Sequence, residues 1–243
     1  MTTTTTDTDV ARWVSDFGTW VFGQLDDLAD LLVGPLSARS PRRADLDIED
    51  RCRAMLADPQ TPVAGAGAVM APGTLADAAY WLEWWTTESR GGTTTISKLA
   101  AETDPRAVGF RDYTELPWYA KPFESGQRHV TGPYVDYLCT DQYTLTFTQP
   151  FLVDGTFAGV VGVDVLVAWF EERLLEVMDT VDRTCVLVNA TGRVVTSSDP
   201  TWVTGDLLRG LPVGAWLAGE ATPQADWTAT ACTDLPFLVL TAR

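Results

Sequence analysis

Nine residues, Gly159 to Val167 (GVVGVDVLV), constrain the fold more than any other stretch of the chain. The run is short, Val-rich and apolar at every position but one, the pattern of a strand buried on both faces. A chain carrying such a strand must cover both sides of its sheet. The exception is Asp164, in the middle of the run. Moving a carboxylate from water into an apolar interior costs on the order of several kcal/mol unless something offsets it. What Asp164 faces is therefore a chemical question. A small cationic guest answers it. So does the ordinary role of Asp as an N-cap, for a helix opening at Val165.

The rest of the chain supplies the setting. After a Thr-rich polar tail, residues 1–8, apolar residues recur from Val10 through Trp13, Val14, Phe17, Val21, Leu25 and Leu28 to Leu32. That spacing predicts a long amphipathic helix with Asp9 as N-cap, closed by Gly34-Pro35. A second helix is expected over about 45–57. Strands are expected at 65–71, 80–87, 132–138, 142–153 and 156–164, the last two joined at Asp154-Gly155. Residues 93–100 start β-branched and then read as a short helix. Further helices fall at 118–125 and 166–178. The stretch CVLVNATGRVVTSS predicts a hairpin around 189–192, and two final strands flank 234–236.

The fold class expected is thus α+β: a long N-terminal helix followed by two antiparallel-sheet modules. The division is 1–61 for the tail and helices, 62–165 for the main module, 166–182 for a linking helix and 183–243 for a smaller module. At 46% hydrophobic and 21% charged residues the chain has globular composition. The formal net charge of −16 excludes a nucleic-acid or anionic-membrane partner. Four widely spaced Cys and one His make no zinc motif. No apolar run is long enough to span a membrane, and no signal peptide is read at the N-terminus, which gives a cytoplasmic expectation for a complete chain and an extracytoplasmic one for a trimmed sensor.

Three motifs in order carry a resemblance: LPWYAKPFESGQRHVTGPYVD, then a strand pair, then GTFAGVVGVDV. A Trp-Tyr pair, a later Tyr-x-Asp and a G-x-x-G-x-D strand followed by a helix resemble the ligand-binding half of a double Cache sensor domain. The hairpin at CVLVNATGRVVTSS is similar to the opening of that family's second, PAS-like module. The resemblance implies two PAS-like modules, a distal one holding the ligand, and no enzyme activity or cofactor. In the amino-acid-binding branch, the resemblance implies that Tyr134, Asp136 and Asp164 hold an α-amino group. Trp118 and Tyr119 then stand beside the carboxylate. The family's Arg, two residues before the Trp, is replaced here by Leu116.

The residues alone favour the same end of the ligand. Two carboxylates converging in a dry pocket repel, and a bound ammonium relieves them through charge-assisted hydrogen bonds of about 1.5–3 kcal/mol each. Aromatic rings add cation–π attraction of about 0.5–2 kcal/mol. Candidates are Trp118, Tyr119, Tyr113 and, from the strand at 80–87, Trp84. There Tyr80, Leu82 and Trp84 share one face, Trp81, Glu83 and Trp85 the other. His129 is read as a solvated or capping residue in a turn. The expected function is a sensor for a primary or methylated amine, with Lys121 or Arg128 left as candidates to pair a ligand carboxylate. The alternatives are an amino-acid sensor, a small-molecule enzyme using Asp136 and Asp164 as acid and base, and an interaction protein with a vestigial pocket. Partners expected are the small ligand, an output or regulator protein, and a second copy through the long helix.

Overall fold

Helix α1 (Asp7–Leu36) buries one stripe, Val10, Val14, Val21, Leu25, Leu28 and Leu32, all at most 1% exposed. Its N-cap is Thr6, not Asp9. Asp9 stands at the third helical position, where its carboxylate accepts the Thr6 backbone N–H at 2.9 Å. A computed structural model describes residues 6–58, 61–90, 93–135, 142–223 and 226–242. A 3-10 turn at Arg43–Asp45 precedes α2 (Glu49–Ala57), which starts four residues later than the sequence suggests.

The main sheet has six antiparallel strands: β1 (Val63–Met70), β2 (Leu82–Arg90), β3 (Thr93–Lys98), β4 (His129–Val135), β5 (Tyr143–Val153) and β6 (Thr156–Leu166). Their order is β3-β2-β1-β6-β5-β4, so β1 and β6 are central. The helix expected after the Thr run at 93–95 does not form. The β-branched residues win locally, and β3 pairs along β2 from Thr93 to Lys98. Between β5 and β6, Asp154 and Gly155 both take positive φ, 50° and 77°, which suits a two-residue hairpin turn.

One face of this sheet meets α1. Val161, Val163 and Val165 of β6, Leu145 and Phe147 of β5 and Trp85 of β2 join the α1 stripe in one apolar core. The other face is covered by a 3-10 turn at Tyr113–Glu115 and by α3 (Pro117–Ser125). There Val69, Trp84 and Val160 pack with Tyr113 and Tyr119. Helix α4 (Val167–Met178) follows β6. Its N-cap is Leu166, so Asp164 is a strand residue and caps nothing.

A four-stranded sheet, β8-β7-β10-β9, follows: β7 (Cys185–Asn189), β8 (Val194–Ser197), β9 (Trp227–Ala231) and β10 (Phe237–Ala242). A short helix α5 (Val213–Leu217), without a clear sequence signal, covers one face with Val213 and Trp216. Cys52, Cys185 and Cys232 are buried free thiols, and burial pushes them up to about 12, 11 and 12. Among the described residues no helix is long and apolar enough to cross a membrane.

Candidate ligand-binding site

Strand alternation sends Asp164 to the face away from α1, and register fixes its neighbours. Thr146 of β5 lies opposite it on one side and Gly65 of β1 on the other. One step along, Thr148 of β5, Gly162 of β6, Gly67 of β1 and Trp84 of β2 form a second row. Val160 and Val69 form a third, apolar row beneath Tyr113 and Tyr119. Polar and apolar halves therefore share one sheet surface.

Asp164 is 4% exposed. Its Oδ1 accepts the Thr146 hydroxyl at 2.6 Å, and the Tyr134 hydroxyl lies 2.7 Å from Thr146 Oγ1. A hydroxyl has one proton. With Asp164 ionised, Thr146 gives that proton to the carboxylate and accepts from Tyr134. Tyr134 reaches Thr146 because β4 shifts register between Thr131 and Tyr134. The shift requires glycine at 132. Its φ is +121°, and a Cβ there would meet the Thr144 carbonyl oxygen at 2.5 Å.

Glycines on β1 and β6 make room for the Trp84 indole. A Cβ on Gly65 would lie 2.9 Å from its Nε1, one on Gly67 2.9 Å from its Cε3, and one on Gly162 3.3 Å from its Cη2. The same Gly65 position is 2.6 Å from Asp164 Oδ2. The indole thus spans the sheet, with its N–H edge beside the carboxylate and its far side toward the aromatic group. Within that group Tyr113 stacks on Trp118 at 6.4 Å and tilts against Tyr119 at 5.4 Å. The Tyr113 hydroxyl is committed to the Met70 carbonyl at 2.7 Å, and burial pushes it up to about 12. Burial raises Tyr119 as well. These two present rings rather than titrating groups.

Asp136 lies outside the described residues, so the structure brings together Tyr134, Asp164 and Trp84 at one end and Tyr113, Trp118 and Tyr119 at the other. Each of the two cations weighed for a ligand carboxylate has a carboxylate partner in the fold. Lys121 pairs with Glu124 at 3.0 Å. Arg128 forks onto Asp26 of α1 at 2.8 and 2.9 Å, bonds Gln149 and covers the Phe22 ring, on the far side of the sheet. Leu116 packs against the aromatic group. A cavity of about 440 Å³ at the sheet rim contains two arginines, but each is held by its own carboxylate, Arg43 by Asp77 and Arg106 by Asp104.

A second buried carboxylate gives a comparison. Glu83 points to the opposite face, where Lys98 pairs with it and Trp81 Nε1 donates at 2.7 Å. That carboxylate is neutralised within the fold. Sequence reading missed Thr146, Thr148, Thr131 and Gly65. The signals were present: TLTFT alternates hydroxyl and apolar residues along β5, and the G-x-G of β1 is a strand without side chains on one face. His129 is also misread as a turn residue. It begins β4, half-buried, opposite Thr148.

Residues 74–171 match the family model of the first PDC sensor domain of methyl-accepting chemotaxis protein-like proteins. No curated protein matches the chain by sequence. Solved structures do match in fold. The extracellular domain of mmHK1S-Z3, described as a histidine kinase, is 15% identical, with 96% of this chain and 92% of that one covered and a TM-score of 0.62. The ligand-binding domain of the Pseudomonas aeruginosa PAO1 amino acid chemoreceptor PctC, in complex with GABA, is 17% identical over 97% of each chain, TM-score 0.54. That of the Pseudomonas fluorescens chemoreceptor CtaA, in complex with L-valine, is 16% identical over 96% of this chain and 91% of that one, TM-score 0.56.

The fold is that of the sensor domains of chemoreceptors and histidine kinases among these solved structures. Residues 74–171 are similar to a first PDC sensor domain, and the chain as a whole shares the two-sheet fold of these structures. The cytoplasmic expectation is corrected by the same findings. The matching family is a chemotaxis sensor domain, and the mmHK1S-Z3 structure is an extracellular domain, so the likeness points outside the cytoplasm.

Proposed function

We propose that this chain is an extracytoplasmic sensor domain that binds a small amine in its first module, residues 62–165. The ammonium group rests on Asp164, with Tyr134 and Asp136 beside it, and its carbon substituents lie against Trp84 and the Tyr113, Trp118 and Tyr119 wall. Residues 166–182 link this module to the second, 183–243, and residues 1–61 carry the long helix through which two copies pair. An output protein reads the change.

One observation carries the reading: Asp164 is buried in an apolar sheet, held by a hydroxyl, and flanked by the edge of an indole. An ammonium meeting this carboxylate gains a charge-assisted hydrogen bond, roughly twice as strong as one between neutral groups. An amino acid is the second reading, favoured by the fold shared with PctC and CtaA. Leu116 and Arg128 weigh against it, since the one carries no charge and the other is bonded to Asp26 on the far side of the sheet.

The test is thermal denaturation of the purified chain against primary amines, methylated amines and amino acids. A ligand at about 100 times its Kd adds about 2.7 kcal/mol of stability. Amines raising Tm while amino acids of the same side chain do not supports the reading. A flat response to every amine overturns it.

A further inference from the structure

Beside the Asp164 row lies a second polar group that the amine reading leaves unused. Thr148 is 1% exposed, and its Oγ1 is buried with no hydrogen-bonding partner. Thr131 Oγ1, on the neighbouring strand, is buried without a partner as well. A buried hydroxyl left unsatisfied is costly, so native structures rarely keep one without a use. Here two stand together, with a histidine. Thr148 faces His129 across the β4–β5 ladder, and Thr131 faces Thr146 one step away. The Thr148 methyl is turned toward Gly162, where a Cβ would meet it at 3.1 Å. All of these residues share the face that carries Asp164.

Resting on the amine reading above, we infer that Thr148, Thr131 and His129 take the second polar end of the same ligand, and that this end is a hydroxyl. The ligand class is a short amino alcohol, with a free or methylated amine. The chemistry selects the group. Threonine hydroxyls both donate and accept, and a neutral imidazole has one donor and one acceptor nitrogen. A ligand hydroxyl matches that set because it too does both. A carboxylate matches it less well: the two threonines bring no charge, Arg128 is bonded to Asp26 on the far side of the sheet, and Lys121, the cation near His129, is already paired with Glu124. An alkyl end would leave both threonine hydroxyls unsatisfied.

The spacing agrees. Directly opposed strand residues have Cβ atoms about 4.5–5.5 Å apart, and diagonal neighbours stand about 7–8 Å apart with side chains still in reach of one ligand. Asp164 and Thr148 are diagonal neighbours on β6 and β5. An amine and a hydroxyl separated by two or three carbons bridge them.

The experiment is isothermal titration of the full chain with ethanolamine and with n-propylamine, which differ by a hydroxyl in place of a methyl. Ethanolamine is expected to bind about tenfold tighter or more, since a site built to bond a hydroxyl rejects the analogue lacking it. Thr148→Val should bring the ratio of the two dissociation constants close to one, and Thr148→Ser, which keeps the hydroxyl, should preserve it. Equal or tighter binding of propylamine by the wild-type chain overturns this inference and leaves the amine reading standing. So does a ratio that survives in Thr148→Val. Binding of neither compound removes the amine reading and this one with it. The wild-type ratio needs no variant, so a Thr148→Val chain that fails to fold leaves the decision intact.

Discussion

Thr146 donates to Asp164 Oδ1 across 2.6 Å, and through that bond one threonine sets the direction of the proton chain from Tyr134 to the carboxylate. The arrangement makes Asp164→Asn a clean test. Asparagine keeps the shape and still accepts from Thr146 through its carbonyl oxygen. It removes the charge that an ammonium would meet. Amine affinity should fall by about 10–100-fold, the worth of one charge-assisted hydrogen bond, while Tm without ligand holds or rises. Titration calorimetry on the two proteins reads it directly. Amine binding kept by Asp164→Asn would place the ligand elsewhere.

Gly65→Ala probes the packing of the same carboxylate. The added methyl would fall 2.6 Å from Asp164 Oδ2 and 2.9 Å from Trp84 Nε1, so one of the two must move. Overpacking of this kind costs about 1–3 kcal/mol. A lowered Tm together with lost amine binding is expected. Wild-type values in both measurements would mean that the indole and carboxylate do not converge on this glycine.

How much of this was legible in the sequence depends on the kind of signal. Asp164 stood out because one charge interrupts an apolar run, and the paired faces of β2 followed from simple alternation. The long helix was legible for the same reason, its 3.6-residue period. Thr146 and Thr148 were not, although their alternation with Leu145 and Phe147 is regular. Threonine is at home on any strand, exposed or buried, so only the pairing with Asp164 and Gly162 gives it meaning. His129 was misplaced because the boundary of β4 is set by its ladder with β5, a long-range contact. The fate of Arg128 was likewise hidden, since Asp26 lies on a helix about a hundred residues earlier.

Leu116→Arg restores the charge that the resemblance predicts and the chain lacks. Leu116 caps α3 from the aromatic side, packed beside Tyr113 and Tyr119. A guanidinium there could pair with a ligand carboxylate in bidentate geometry. The variant should gain affinity for L-valine relative to isobutylamine by about tenfold or more, the range of a charged hydrogen bond. Titration of both compounds decides it. An unchanged ratio would separate Leu116 from the ligand's carboxylate end.

The two modules touch at the bulge that positions Tyr134. Asn189, at the end of β7, donates through Nδ2 to the Gly132 carbonyl at 2.7 Å. Its Oδ1 accepts from the backbone N–H groups of Thr191 and Arg193 at 3.0 and 2.9 Å, which fixes the orientation of the amide. Asn189→Asp keeps the turn's acceptor and loses the donor, setting a carboxylate against a carbonyl. A loss of about 1 kcal/mol or more is expected. Faster hydrogen exchange at Thr131 and Tyr134 should accompany it if this bond holds the bulge. Exchange unchanged at those amides would show that the second module does not steady the first.

The single histidine gives the pH dependence a clean reporter. Burial disfavours the imidazolium of His129, and Lys121 on α3 adds to the effect, so its folded pKa lies below the usual value of 6.5. Above that value the ring is neutral in folded and unfolded chains alike, and its contribution to stability is complete. Below it the unfolded chain takes up a proton that the folded chain resists, so stability is lost as pH falls through the folded pKa. Carboxylate titration adds its own slope, but His129→Gln shares it. The Tm difference between wild type and His129→Gln should therefore be constant above about pH 7 and should shift against the wild type between about pH 6.5 and pH 5. Amine affinity should weaken over the same interval, because an imidazolium would repel the guest. Proton NMR of the one imidazole provides the independent check, and a midpoint at or above 6.5 would mean that β4 does not bury it.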